Sequence, residues 1–279
     1  LVELMLAAAS ALVLALGAIW IIGACEPVFG IRSDDPAWFV ALRGAQAPRL
    51  APGVQVRWSG AADFPLIGGN EAYWSRFYIL AGGKAGEAPL SLDGVEDAFA
   101  ARISMFAPPS FALGMLRAMC KLGILGKPKG DVIRSIDGVE FRKDVMPNNE
   151  SITTLLTRPQ TYSPTMVNFL AYHPEAKYTD GRASTGAAAY RRYGTVAMKT
   201  VYRTGGALIF YGKVLEIVRP AKAGPFMGVW DDVAAMRYPN PPAILSMENV
   251  PEYRGALHHR DAGLARTIVI ATQPIPSAD

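Results

Sequence analysis

Three histidines, two cysteines and a scatter of tyrosines and arginines are what this 279-residue chain offers to chemistry. A zinc centre wants three or four ligands at compatible spacing. His173 stands alone. His258 and His259 are adjacent, and neighbours on a helix point about 100° apart, a poor chelating pair. No Cys-x-x-Cys or His-Glu-x-x-His occurs, so no metal site is expected. Gly82-Gly83-Lys84 lacks the spacing of a phosphate-binding loop, and there is no serine-nucleophile elbow. What remains is a set of ligand-pocket candidates: Asn168, Tyr178, Arg182, Tyr193, His259 and Arg260. His259-Arg260 reads two ways. It forms the polar wall of a pocket, with His259 as acid, base or haem ligand and Arg260 as anion clamp. Or Arg260 pairs with an acid such as Asp180 or Asp231 while His259 satisfies a carbonyl; base rates favour this structural reading. Asp180-Gly181-Arg182 suits a turn that presents Arg182. Tyr178, Tyr190 and Tyr193 line a pocket or fill a core, the core being the commoner fate. No catalytic set is assigned.

These residues must be held by elements, and those of the second half are the easier to read. Thr165 to Ala171 reads as a strand. Gly186 to Arg203 has apolar residues at three- and four-residue spacing, so it reads as a helix, closed by Gly205-Gly206. Strands over 207–218 and 227–238, a helix opening at Pro241 and a last strand over 267–272 complete a β-α-β-β-α-β order, the ferredoxin-like unit. The first half echoes parts of it. Residues 103–115 resemble 235–247 in running from an apolar strand through an aromatic and a double proline into an apolar helix start. Weaker echoes pair 39–42 with 167–170, 71–74 with 188–191, and 152–159 with 268–274. Their common order suggests a diverged duplication. Asn168, Asp180, Arg182, His259 and Arg260 have no counterparts in the first half, so any small-molecule site is expected in the second.

Ahead of both halves, Leu4 to Ala24 carries no charge. At ~1.5 Å per residue it spans roughly 30 Å, a bilayer core. A cleaved signal wants a basic start, whereas the charge ahead of the run is Glu3. Ile22-Gly23-Ala24-Cys25 resembles a lipobox, which also wants that basic start. The expectation is a retained single-pass helix in the inner (cytoplasmic) membrane of a bacterium. Arg32 and Arg43 on its C-terminal side place the soluble region in the cytoplasm. The expected boundaries are 1–25 for the helix, 26–36 for a linker, 37–160 and 165–273 for the two repeats and 274–279 for a tail. A net charge of +4 without basic blocks does not suggest nucleic acid as a partner. Cys25 and Cys120 imply no disulfide framework. Residues 111–125 are almost wholly apolar, broken by Arg117 and Lys121. Such a segment serves as core, or lies on a bilayer or a partner subunit.

Several separated segments of the second half together resemble a known family. They are Val167–Leu170, Tyr178–Arg182, Gly186 with Tyr190 and Tyr193, Trp230-Asp231, Arg237–Pro239, Glu252-Tyr253 and His259–Leu264. The family is catalogued as "domain of unknown function 1330", a branch of the dimeric α+β barrel superfamily. The resemblance implies fold rather than chemistry, since members pair two ferredoxin-like units into a barrel. The expected fold is therefore α+β: one N-terminal transmembrane helix plus two tandem ferredoxin-like units forming a pseudo-dimeric α+β barrel. The expected role is a non-catalytic accessory subunit of a larger membrane complex, respiratory or photosynthetic in type, with the lipid bilayer and transmembrane subunits as partners and no cofactor. The alternative is a cofactor-free oxygenase-like or haem-handling enzyme of that superfamily.

Overall fold

Val2–Ala24 forms helix α1, long and apolar enough to cross a membrane, with its apolar side chains outward. The computed structural model describes residues 2–26, 36–44, 48–83, 87–91, 94–137 and 142–275. Most of the expected linker, with Arg32, lies outside the described residues, as do Lys84 and residues 276–279 of the expected tail.

The rest is mixed α+β around one large antiparallel sheet. Eight strands close into a barrel: β1 (Ala37–Arg43), β3 (Val54–Ile67), β4 (Arg76–Gly82), β6 (Asp97–Met105), β7 (Thr165–Tyr172), β8 (Ala207–Arg219), β9 (Asp232–Arg237) and β10 (Leu264–Pro274). Around the barrel the first half runs β6-β1-β4-β3 and the second β10-β7-β9-β8. In each half the order is last, first, third, second. The seams join β3 to β10 and β6 to β8, so the second strand of each half meets the last of the other.

Strand alternation sorts side chains between the two faces. Inward go Phe39, Phe77, Phe99, Phe169 and Phe210. Phe169 meets Phe39 edge-on at 5.2 Å between ring centroids and Phe226 at 4.8 Å. Phe226, Trp230 and Trp74 join this core, so the barrel is filled by side chains rather than hollow.

The helices serve the outer face of the second half. They are α4 (Gly186–Arg203), α5 (Pro241–Leu245) and α6 (Pro251–Gly263). Thr185 caps α4 by accepting from the Ala188 amide, and Gly205 at φ +87° ends it. A short 3-10 turn at Lys143–Val145 and helix α3 (Asn149–Leu156) pack into the same layer through Val145, Ile152 and Leu155. The outer face of the first half is covered differently. Trp38, Val40, Tyr78 and Leu80 lie beneath a two-stranded sheet of β2 (Arg49–Leu50) and β5 (Leu90–Ser91), where the repeat reading expects helices.

Three of the proposed internal matches differ from the structure. Residues 71–74 are not helical but irregular chain leading into β4, with Tyr73 at φ 58°. Residues 103–115 leave the last strand of their half and 235–247 leave the third, so the shared double proline marks unlike positions. Residues 149–156 are helical although 268–274 are strand: the run Ile-Thr-Thr-Leu-Leu suits either, and the Asn148 side chain, accepting from the Ser151 amide at 2.7 Å, starts a helix. The strand expected from Met227 begins at Asp232, because the preceding residues fold in to place Phe226 and Trp230. The barrel strands of the first half end at Met105, and 106–164 leads across to the second half.

Helix α2 (Ser110–Lys121) docks α1. The two backbones touch at Gly23 and Gly114: a Cβ at Gly23 would overlap the Ser110 carbonyl, and one at Gly114 that of Ile19. Glu26, just past α1, is buried and takes both Nε (2.7 Å) and an Nη (3.0 Å) of Arg117. It also accepts from the Tyr202 hydroxyl at 3.1 Å, while Arg117 donates to the Gly206 carbonyl at 2.9 Å. Leu113 packs on Tyr202 and Leu208 beneath. The apolar residues of α2 are thus divided: Leu113 is core, and Phe111 and Met115 are exposed beside α1, followed by exposed Leu122 and Ile124.

Candidate functional site

Between the outer face of the second-half sheet and helices α4 and α6 lies a cavity of about 640 Å³. Period-two alternation builds its floor. Met166, Asn168, Leu170 and Tyr172 face it from β7, while Val167 and Phe169 face the barrel core. Asp232 and Met236 reach it from β9, and Tyr211 and Lys213 from β8. From α4 come Tyr190, Tyr193, Ala197 and Val201, at the three- and four-residue spacing visible in the sequence. Tyr253 and Arg260 close it from α6.

Its polar groups form two clusters joined by tyrosine rings. At one, the buried Asp232 carboxylate accepts from the hydroxyls of Tyr172 (2.6 Å) and Tyr211. Burial, reinforced by the neighbouring phenols and Asp232, raises the Tyr172 phenol well above its ordinary range. Burial and Asp232 raise Tyr211 likewise. Both remain neutral donors. Exposed Arg191, Lys213, Asp231 and Phe106 mark where this end meets solvent. Rings then run inward from Tyr172 to Tyr190 (5.2 Å), Tyr193 (5.4 Å) and Tyr253 (5.7 Å). The hydroxyls of Tyr193 and Tyr253 sit 3.0 Å apart.

At the inner cluster the Arg260 guanidinium lies over the Tyr193 ring. The residue is 7% exposed, and it donates to the Val145 carbonyl and, at 2.8 Å, to the Met146 sulfur. Neither acceptor is charged, and among the described residues no carboxylate lies within ion-pair distance. Glu248 also lines the cavity, and burial raises its carboxyl above the ordinary range.

The six candidates fall into two groups. Asn168, Tyr193 and Arg260 line the cavity. Asn168 donates to its own strand at the Met166 carbonyl, 2.8 Å away. Tyr178, Arg182 and His259 gather on the other side of α6, at the surface. The Tyr178 hydroxyl meets His259 Nδ1 at 2.6 Å and accepts from Arg192 at 3.3 Å, and Arg182 pairs with Asp180 at 2.9 Å. Burial, then His258, Arg192 and Arg182, lower the His259 imidazole below its usual value. A helix turns neighbours by about 100°, which sends His259 and Arg260 to different faces and divides the pair the sequence suggested. Arg260 pairs with neither Asp180 nor Asp231: Asp180 takes Arg182, and Asp231 accepts the Tyr172 amide at 2.7 Å. None of the three histidines lines the cavity, so it offers no imidazole to a haem iron.

Tyr172, Tyr211 and Asp232 were not among the candidates. Tyr172 was within reach, since it continues the Asn168-Leu170 face of β7 by one step of two. Asp232 and Tyr211 meet it only through strand pairing.

No family model matches this chain, and no curated protein matches it. Two solved structures are similar to part of it. One is described as the crystal structure of the methylated RPA0582 protein, 30% identical, covering 48% of this chain and 96% of that one, with a TM-score of 0.42. The other is described as the RPA0582 protein of unknown function from Rhodopseudomonas palustris, 29% identical, covering 46% and 95%, with a TM-score of 0.41.

Proposed function

We propose that this chain is a membrane-anchored, non-catalytic accessory subunit of a larger membrane complex, built on two ferredoxin-like sheets that close one barrel. The observation that carries the reading is the docked anchor. A cleavable leader has no need of a fitted seat, yet α1 ends in a backbone-to-backbone crossing at Gly23 and Gly114 and a buried Glu26–Arg117–Tyr202 cluster. Close helix approach over small residues is how spanning helices pack. The outward face of α1 stays apolar along its length, suited to lipid or to neighbouring transmembrane helices. Residues 98–130 hold no acid, and exposed Lys121, Lys127 and Lys129 stand near exposed Leu122 and Ile124. That pattern matches a headgroup boundary. The same strand order in both halves supports the duplication; replacement of helices by β2 and β5 in the first is what a diverged copy with one remaining helix-lined cavity would show.

The test is native electrophoresis of membranes solubilised in mild detergent, followed by mass spectrometry of the band. The expected result is co-migration with integral membrane proteins in fixed ratio. Migration at the mass of this chain alone would sink the accessory reading. The enzyme alternative draws on the cavity, and an absorbance spectrum of the purified protein bears on its haem form, for which a Soret band is the positive sign.

A further inference from the structure

We infer that the cavity between β7–β10 and helices α4 and α6 binds a long-chain monocarboxylate, an amphiphile of the fatty-acid class, with its carboxylate on Arg260 and its chain between the sheet floor and the tyrosines of the helices. The route of entry rests on the membrane reading above; the site itself does not.

Volume comes first. Protein interiors are packed to crystal density, and voids much larger than a water are few. A space of about 640 Å³ inside a layer otherwise filled by Leu, Ile, Val and Met lies in the range of small-molecule pockets, ~300–1,000 Å³. Its walls are mostly apolar: Leu66, Met166, Leu170, Val201, Met236 and Val269. Water gains little there, whereas a hydrocarbon body would recover the missing contacts.

Charge selects the head. A guanidinium as buried as Arg260 ordinarily sits on a carboxylate. Here its acceptors are one carbonyl and one thioether, and Glu248, the acid that shares this part of the lining, lies beyond ion-pair distance. Guanidinium geometry suits a carboxylate in two-point contact. Of the hydrogen-bonded pair of hydroxyls on Tyr193 and Tyr253, one O–H is spent on the other, which leaves one further donor near the guanidinium. At the other end Asp231 and Asp232 stand with Arg191 and Lys213, two acids against two bases, so that end carries no net charge to hold an anion.

Position suggests the source. Met198, Tyr211 and Met236 line the cavity and also pack against the cluster that Leu113 of α2 forms with Tyr202 and Leu208. α2 is the helix on which α1 is seated, and Phe106, just ahead of it, stands exposed at the cavity's outer end. The opening thus lies beside the membrane-docked element, where amphiphilic carboxylates concentrate.

The experiment uses the full chain in nanodiscs of zwitterionic lipid and cis-parinaric acid, a fluorescent eighteen-carbon carboxylate, with its methyl ester as the uncharged control and empty nanodiscs as background. The expected result is saturable binding of one acid per chain, weakened at least tenfold by Arg260→Met and partly restored in Arg260→Lys, with the ester weak and indifferent to both variants. Val201→Trp, which adds bulk to the cavity wall and leaves Arg260 in the sequence, should abolish binding of the acid. Circular dichroism melts report whether each variant folds; should Arg260→Met fail to, Val201→Trp and the acid-to-ester ratio on the wild type decide. Binding no greater than to empty nanodiscs, acid and ester binding alike, or full binding in Val201→Trp would each overturn the proposal. A solitary species on a native gel would remove the accessory reading and leave this result standing.

Discussion

Phe169→Ala is expected to cost about 3–5 kcal/mol of folding stability, the range for deleting a buried phenyl. Phe169 is fully buried at the centre of the barrel. Its ring meets Phe39, Phe77 and Phe99 from the first half, and Phe226 and Trp230 from the second. No single element can collapse into the space, because the surrounding rings belong to both sheets. The loss should register as a lower urea midpoint at unchanged slope, with both halves unfolding together. A midpoint within measurement error of the wild type would mean that the interior is not packed as described. A change in slope would mean that the halves separate.

Glu26→Ala should have the other large effect, roughly 3 kcal/mol. The substitution strands Arg117, whose side chain is 15% exposed, with the Gly206 carbonyl as its remaining hydrogen-bond partner, and takes from the Tyr202 hydroxyl its acceptor. Leaving a buried charge unpaired costs more than removing both members of the pair. Arg117→Met on top of Glu26→Ala is therefore expected to recover part of the loss, a coupling that a double-mutant cycle in bicelles would resolve. Additive losses would show that the two side chains do not meet. Gly114→Leu should separate α1 from α2 by steric means alone, with the ion pair's residues intact.

The second half was the legible half because its periodicities are unambiguous. Gly186–Arg203 carries a cap, an apolar stripe and a glycine stop, and the helix has those bounds. The first half misled through short apolar runs. Ile-Thr-Thr-Leu-Leu suits a helix or a strand until Asn148 is seen to cap it. The double proline at 108–109 precedes a helix and that at 241–242 opens one, yet they follow strands of different rank. Local chemistry repeats more readily than topology does. For the site, residue type pointed to Arg260 and Tyr193, while adjacency drew His259 in with them. Sequence neighbours on a helix diverge, so a pair of functional residue types is a weak guide to a shared pocket. The Asp232–Tyr172–Tyr211 cluster brings together three strands, and its formation depends on register that no local pattern encodes. Nor did the apolar run of α1 reveal its seat. Gly23, Gly114, Glu26 and Arg117 are ordinary residues far apart in sequence, and only their meeting gives them a role.

The central claim is that α1 remains on the mature protein as a membrane span fixed to the barrel. Alkaline carbonate washing of membranes, followed by peptide mass mapping of the protein, addresses it directly. The account predicts that the chain stays in the pellet and that peptides spanning residues 2–26 are recovered from it. A chain released to the supernatant, or one retained but lacking those residues, would contradict it.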